Sequence, residues 1–244
     1  MRNIAARLSV CALILSIVAI FSVPSLTLSS GDIFFGGVKP LYHVRVAQFF
    51  YKRSAYPLFS KLPPRYAHHQ LSRTYFIQGR LGSALDEAKK ELEIYPDDTA
   101  TYYLLGLTYG YMNREREAID AFSAYIETHP GTWAGRNDKA WLQFRIGDID
   151  GALQTIEPIA DTFRDTAWVQ NTYCALLMNK ERFADAERAC LYAKEAVDTM
   201  TEKDWGRAYP GNDPRVYGTG LQAMRDSIEQ NLELIHKKLG AQVL

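Results

Sequence analysis

The sequence predicts an all-α protein, an α-solenoid of about four helical hairpins with a C-terminal capping helix, preceded by an N-terminal transmembrane helix. Three observations carry this expectation. Small residues recur every 34 positions between Arg65 and Met200, an uncharged apolar run lies near the amino terminus, and one amphipathic stripe lies near the carboxy terminus.

Composition sets the outer bounds. The 244 residues hold 28 Lys plus Arg against 28 Asp plus Glu, a formal net charge of zero, which argues against a nucleic-acid partner. With 47% apolar and 23% charged residues the chain has enough core-forming material to exclude wholesale disorder. Three cysteines, one of them inside the apolar run, are too few for a disulfide scaffold or a zinc ribbon. The even balance hides an asymmetry: residues 1–80 hold ten bases and one acid, Asp32, giving +9, and the remainder holds 18 bases against 27 acids, giving −9.

Residues 1–30 form the membrane segment. Leu8 to Leu28 is a run of 21 uncharged residues, close to the roughly 20 that a spanning helix needs and longer than the core of about 7–15 in a cleavable signal. A retained anchor is therefore preferred to a cleaved signal. The neighbourhood of Cys11 does not suit a lipid anchor, because Val10 is bulky and the apolar run follows the cysteine. An internal amino terminus, with the repeat domain on the extracytoplasmic side of a single-pass membrane protein, is the expected orientation. Residues 31–64 follow as a basic, aromatic juxtamembrane segment containing Arg45, Phe49, Phe50, Lys52 and Arg53. They suit either a head-group layer or a cover for the first helical pair.

The period is clearest within residues 65–200. Ala84, Ala118, Ala152 and Ala186 stand 34 apart, and twelve residues before each is Ser72, Gly106, Ala140 or Cys174. Paired small residues let two antiparallel helices approach closely. The segments Gln78–Gly82, Met112–Glu115, Arg145–Asp148 and Met178–Glu181 are short enough to turn each hairpin, and Ala118, Ile119, Phe122, Tyr125 and Ile126 keep helical spacing. These residues, above all Tyr102-x-x-Leu105-Gly106-x-x-Tyr109 followed by Ala118, Phe122 and Pro130, resemble the tetratricopeptide repeat. The third unit departs most, with Lys139 and Gln143 where the second has Leu105 and Tyr109. The resemblance implies a right-handed solenoid whose first helices line a concave, protein-binding face.

Residues 201–244 complete the chain. Thr199 to Tyr217 reads as an inserted loop, and Leu221, Met224, Ile228, Leu232 and Ile235 make one helical apolar stripe suited to covering the last repeat. Cys174 and Cys190 are expected to be buried free thiols, a disulfide being the alternative.

The search for chemistry finds no catalytic motif, no metal cluster and no cofactor loop, so a non-enzymatic role is expected. Adjacent His68 and His69 fall on different sides of a helix. Gly147–Gly151 lacks the glutamate of a calcium loop, since Ile159 takes that place. The resemblance places the partner-binding groove at Tyr66, His69 and Arg73 in the first unit and Tyr103 and Leu107 in the second. Asn137, Trp141 and Phe144 follow in the third, and Trp168 and Asn171 in the fourth. Asn137 and Asn171, one period apart, could hold an extended backbone through their amides, with the aromatics supplying contact area. The family's clamp for a terminal carboxylate is poorly matched, with His69, Arg73, Leu104, Ala134 and Asp138 at the corresponding places. The expected function is a membrane-anchored scaffold or assembly factor gripping a protein or peptide segment. The alternatives are a structural subunit of an envelope complex acting through the convex face or the C-terminal helix, and an enzyme with a groove site.

Overall fold

The computed structural model describes residues 65, 67–202, 204–205 and 220–242. The expected anchor at 1–30, the segment 31–64, Tyr66 and most of the inserted loop lie outside the described residues. Among the described residues every regular element is helical, and no helix is long and apolar enough to cross a membrane.

The helices run α1 (Ala67–Ile77), α2 (Leu81–Ile94), α3 (Thr99–Tyr111), α4 (Glu115–Thr128), α5 (Trp133–Arg145), α6 (Ile149–Ala160), α7 (Ala167–Asn179), α8 (Phe183–Asp198) and α9 (Gly220–Gln242). The chain divides into two compact units, one through Leu104 and one from Leu105.

Close packing at the small positions builds the hairpins. Ala84, Ala118, Ala152 and Ala186 are fully buried, as are Ser72, Ala140 and Cys174. A Cβ at Gly106 would stand 2.7 Å from the Phe122 ring, and Phe122 is itself buried, so the glycine is required by the approach of α4. In the first unit the Ser72 hydroxyl donates to the Ala84 carbonyl at 2.7 Å, tying α1 to α2.

The hairpin turns also repeat in phase. Gly79, Asn113, Gly147 and Glu181, each 34 residues after the last, all take a left-handed backbone, with φ of 70°, 56°, 84° and 58°. In each the residue that follows donates its N–H to a carbonyl five residues back, as in Arg80 to Tyr75 at 2.9 Å and Arg182 to Leu177 at 3.0 Å. This closure satisfies the last carbonyls of the first helix and reverses the chain. Glycine takes the conformation at no cost, asparagine tolerates it, and glutamate does not suit it.

The departure of the third unit is a paired change. In the first two units an arginine sits 4.6 Å over a tyrosine ring, Arg80 on Tyr75 and Arg114 on Tyr109. The third has Gln143 and Asp148 at those places, and the amide donates to the carboxylate at 3.3 Å. Asp148 also caps α6 by accepting from the Gly151 N–H, and Gln143 accepts from buried Thr155 at 2.7 Å. A polar network thus stands where a cation lay on a ring.

In the second unit α5 packs on α4, α6 and α7, α7 on α8, and α9 on α8. Leu221, Ile228, Leu232 and Ile235 are buried in the same cluster as Ala186, Ala193 and Val197. Arg225 donates to the Val197 and Met200 carbonyls at 2.7 and 3.0 Å, ending α8 with a cation. The expectation of free thiols is corrected: Cys174 on α7 and Cys190 on α8 form a disulfide with Cα atoms 5.3 Å apart. The small-residue approach that buries both residues also brings their Cα atoms within bonding reach.

Two substitutions test these packing and turn arguments. Gly106→Val should destabilise the second unit by about 2 kcal/mol through overpacking against Phe122, read as a lower midpoint in thermal unfolding. Glu181→Gly should raise stability by about 1 kcal/mol by relieving the left-handed turn; an unchanged midpoint would show that the turn carries no such cost.

Candidate functional site

A cavity of about 330 Å³ opens on the second unit, built by the first helices of successive hairpins. Leu107, Gly110 and Tyr111 reach it from α3, Asn137, Asp138, Trp141 and Arg145 from α5, Trp168, Asn171 and Thr172 from α7, and Met224 from α9. Part of the space is left by Gly110, where an added Cβ would find nothing closer than Leu142 at 3.8 Å.

The expected groove residues fall into three groups. Leu107, Asn137, Trp141, Trp168 and Asn171 all line this cavity, while Phe144 lies beside it with its ring 5.4 Å from that of Trp141. His69, Arg73 and Tyr103 belong to the compact unit that runs through Leu104, apart from the compact unit that carries the cavity. Tyr66 lies outside the described residues.

Trp141 is the aromatic with a face to offer, 43% exposed. Trp168 is only 6% exposed, since it stacks on Trp133 at 5.8 Å and meets the tilted ring of Trp205 at 6.1 Å. Trp205 closes a turn in which Thr201 and Asp204 bond reciprocally, and its indole also lies on Gly220 at the start of α9. The first turn of the inserted loop therefore covers Trp168 but leaves Trp141 open.

The two asparagines differ in the same way. Asn137, 5% exposed, accepts from the Thr172 hydroxyl at 2.9 Å across α5 and α7. Asn171, half-buried, has a carbonyl oxygen closed off in the fold without any hydrogen-bond donor. An orphaned buried acceptor costs about 1–3 kcal/mol, and this one borders the cavity. At the rim, Arg145 meets Glu115 at 2.9 Å and Asn113 at 3.1 Å.

Asp138, Tyr111, Arg145 and Met224 line the cavity but were absent from the expected groove set. A signal for the α3 wall was present: Gly106 and Gly110, four apart, clear one face of a helix. Met224 had no such signal, because its place depends on how α9 docks.

In the first unit the histidines serve the fold. The buried Glu91 carboxylate accepts from the backbone N–H groups of His68 and His69 at 3.0 and 3.2 Å, satisfying orphan donors at the start of α1. His68 Nδ1 meets Glu87 at 2.6 Å. His69 Nδ1 lies 2.7 Å from the Thr101 hydroxyl, which donates to Asp98. Among the described residues no group of His, Cys, Asp and Glu is arranged to hold a metal.

No family model matches this sequence, and no curated protein does. Solved structures do. A point mutant of MamA aligns with a TM-score of 0.57 at 16% identity, covering 71% of this chain and 96% of that one. MamA from AMB-1 gives 0.57 at 15% over 75% and 97%, and MamA from MSR-1 gives 0.54 at 15% over 72% and 95%. At this identity the likeness concerns the fold alone, and it supports a helical-repeat fold of the tetratricopeptide type.

Burial holds the His69 imidazole below its ordinary pKa; Asp98 opposes this and Arg73 adds to it. The unfolded chain then binds the proton more readily, so stability contributed by neutral His69 is present above about pH 6.5 and falls as pH drops below it. Glu87 titrates lower, because hydrogen bonds from His68 and Lys90 outweigh its burial. Hydrogen exchange of α1 and α2 amides should accelerate from pH 7.5 to 5.5, after correction for intrinsic rates, and less so in His69→Gln. Equal acceleration in both proteins would rule out His69 as the cause.

Proposed function

We propose that the chain is a membrane-anchored, non-enzymatic scaffold or assembly factor that holds an extended segment of another protein in the cavity between α3, α5 and α7. The observation carrying this reading is the cavity itself, with an exposed Trp141 beside an Asn171 carbonyl that no donor in the fold satisfies. An extended peptide brings what the cavity wants, side chains to cover the indole of Trp141.

The membrane part of the reading rests on the 21 uncharged residues from Leu8 to Leu28. The disulfide between Cys174 and Cys190 supports placing the repeat domain on the extracytoplasmic side, since such bonds persist in oxidising compartments. Alkylating protein directly from cells, before and after reduction, tests this. Protection of Cys174 and Cys190 until reduction is expected; free alkylation would move the domain to a reducing compartment.

A photoreactive residue at Trp141, compared with one at Glu117, tests the groove in cells. Capture of a discrete partner from Trp141 alone is the expected result. Capture from Glu117 alone would favour a structural subunit working through another face, and crosslinks confined to the chain itself would refute the proposal.

A further inference from the structure

Building on the reading of the second-unit cavity as a peptide groove, we infer that the segment it holds anchors itself there by an aromatic side chain, seated over Gly110 against the indole of Trp141. The repeat itself carries the inference. Phe76, Gly110, Phe144 and Met178 stand 34 apart, each near the end of the first helix of its hairpin. Three of the four are large and apolar: Phe76 is buried, and Phe144 and Met178 pack against the core of the second unit. The hairpin of α3 and α4 alone leaves this place without a side chain, and the cavity opens there.

Nothing in the fold asks for this glycine. A Cβ at Gly106 would stand 2.7 Å from the Phe122 ring, but one at Gly110 would meet only the Leu142 methyl groups, the nearer at an ordinary 3.8 Å. Nor is its backbone left-handed. Glycine weakens a helix relative to alanine and is used where something else must approach the backbone closely. The side chain that the second hairpin omits is therefore the one its partner supplies.

The space suits an uncharged ring. Leu107, Phe122 and Leu142, all buried, give it apolar walls, and the Trp141 indole stands beside it 43% exposed. The two charged groups in the lining are already engaged, Arg145 with Glu115 at 2.9 Å and Asp138 within the fold. An incoming charge would lose its water without finding a counter-charge, whereas a ring gains an edge-to-face or offset contact with the indole beyond its buried area. At about 330 Å³ the cavity is at the small end of the roughly 300–1,000 Å³ of ligand sites, room for one large side chain and not for a helix roughly 10–12 Å across.

The full chain would be used to select binders from a random short-peptide library, with each binder then measured against the wild type, Trp141→Ala and Gly110→Phe. We expect phenylalanine, tyrosine or tryptophan to be enriched at one register, and alanine there to weaken binding about ten- to a hundredfold. Gly110→Phe puts back the side chain that the second hairpin lacks and fills the space from within, so it should cut affinity by at least about tenfold without lowering the thermal midpoint. A lowered midpoint would show that the space does not accept a ring, and undiminished binding that the peptide does not use it; either result overturns the inference. Peptides that lose binding with Trp141→Ala yet show no aromatic preference would also overturn it and leave the groove reading standing. If no peptide responds to Trp141→Ala, both fail.

Discussion

The closeness of two helices at a pair of small residues is the constraint on which the rest of the structure depends. Ser72 with Ala84, Ala140 with Ala152 and Cys174 with Ala186 are all fully buried, and Gly106 leaves room for the Phe122 ring that a side chain would displace. Once the helices are this near, the connection must be tight. The left-handed residue at each turn follows from that, even where the residue is Glu181. The same proximity brings Cys174 and Cys190 within bonding distance in the last hairpin. Closure of a loop of this length restrains the unfolded chain by about 3 kcal/mol in the chain-entropy account.

Periodic features were legible because every unit must solve the same packing problem with the same geometry. The hairpins, their turns and the apolar face of α9 could be read from spacing alone. Features that depend on partners far along the chain could not. Nothing local to Glu91 announces that its carboxylate will cap α1, more than twenty residues upstream. Nothing local to Trp168 announces that Trp205 will lie against it, because that contact depends on where the chain goes after α8. The disulfide was a balance between two readings of buried cysteine, decided by a Cα separation that sequence does not give.

The third unit shows how a repeat position can change chemistry without changing place. An arginine over a tyrosine ring gains from the quadrupole of the ring and needs few hydrogen bonds. Buried Gln143 at the first of these places must satisfy its polar atoms, which it does through Thr155 and Asp148, while exposed Asp148 also accepts from the Gly151 N–H. The substitution is therefore a linked set in which the amide, the carboxylate, the hydroxyl and the glycine act together. Deleting the Thr155 hydroxyl would leave the buried Gln143 amide oxygen without its donor.

Asn137 and Asn171 carry the same argument to the cavity. They occupy one register in successive units, yet only Asn137 is satisfied, by Thr172 on the following first helix. That donor exists because a fourth hairpin follows the third. After the fourth, the described chain continues as α9, and the side chain α9 presents to the cavity is Met224. A thioether can accept a weak hydrogen bond but has none to donate. The helix that covers the apolar end of the array thus brings no donor to the Asn171 carbonyl oxygen, which is closed off and unsatisfied. The unsatisfied acceptor lies where the repeat stops, beside the one tryptophan that its neighbours leave exposed. Asn137 and Asn171 place the same amide in the last two units, and the end of the array withholds the donor that the second would need.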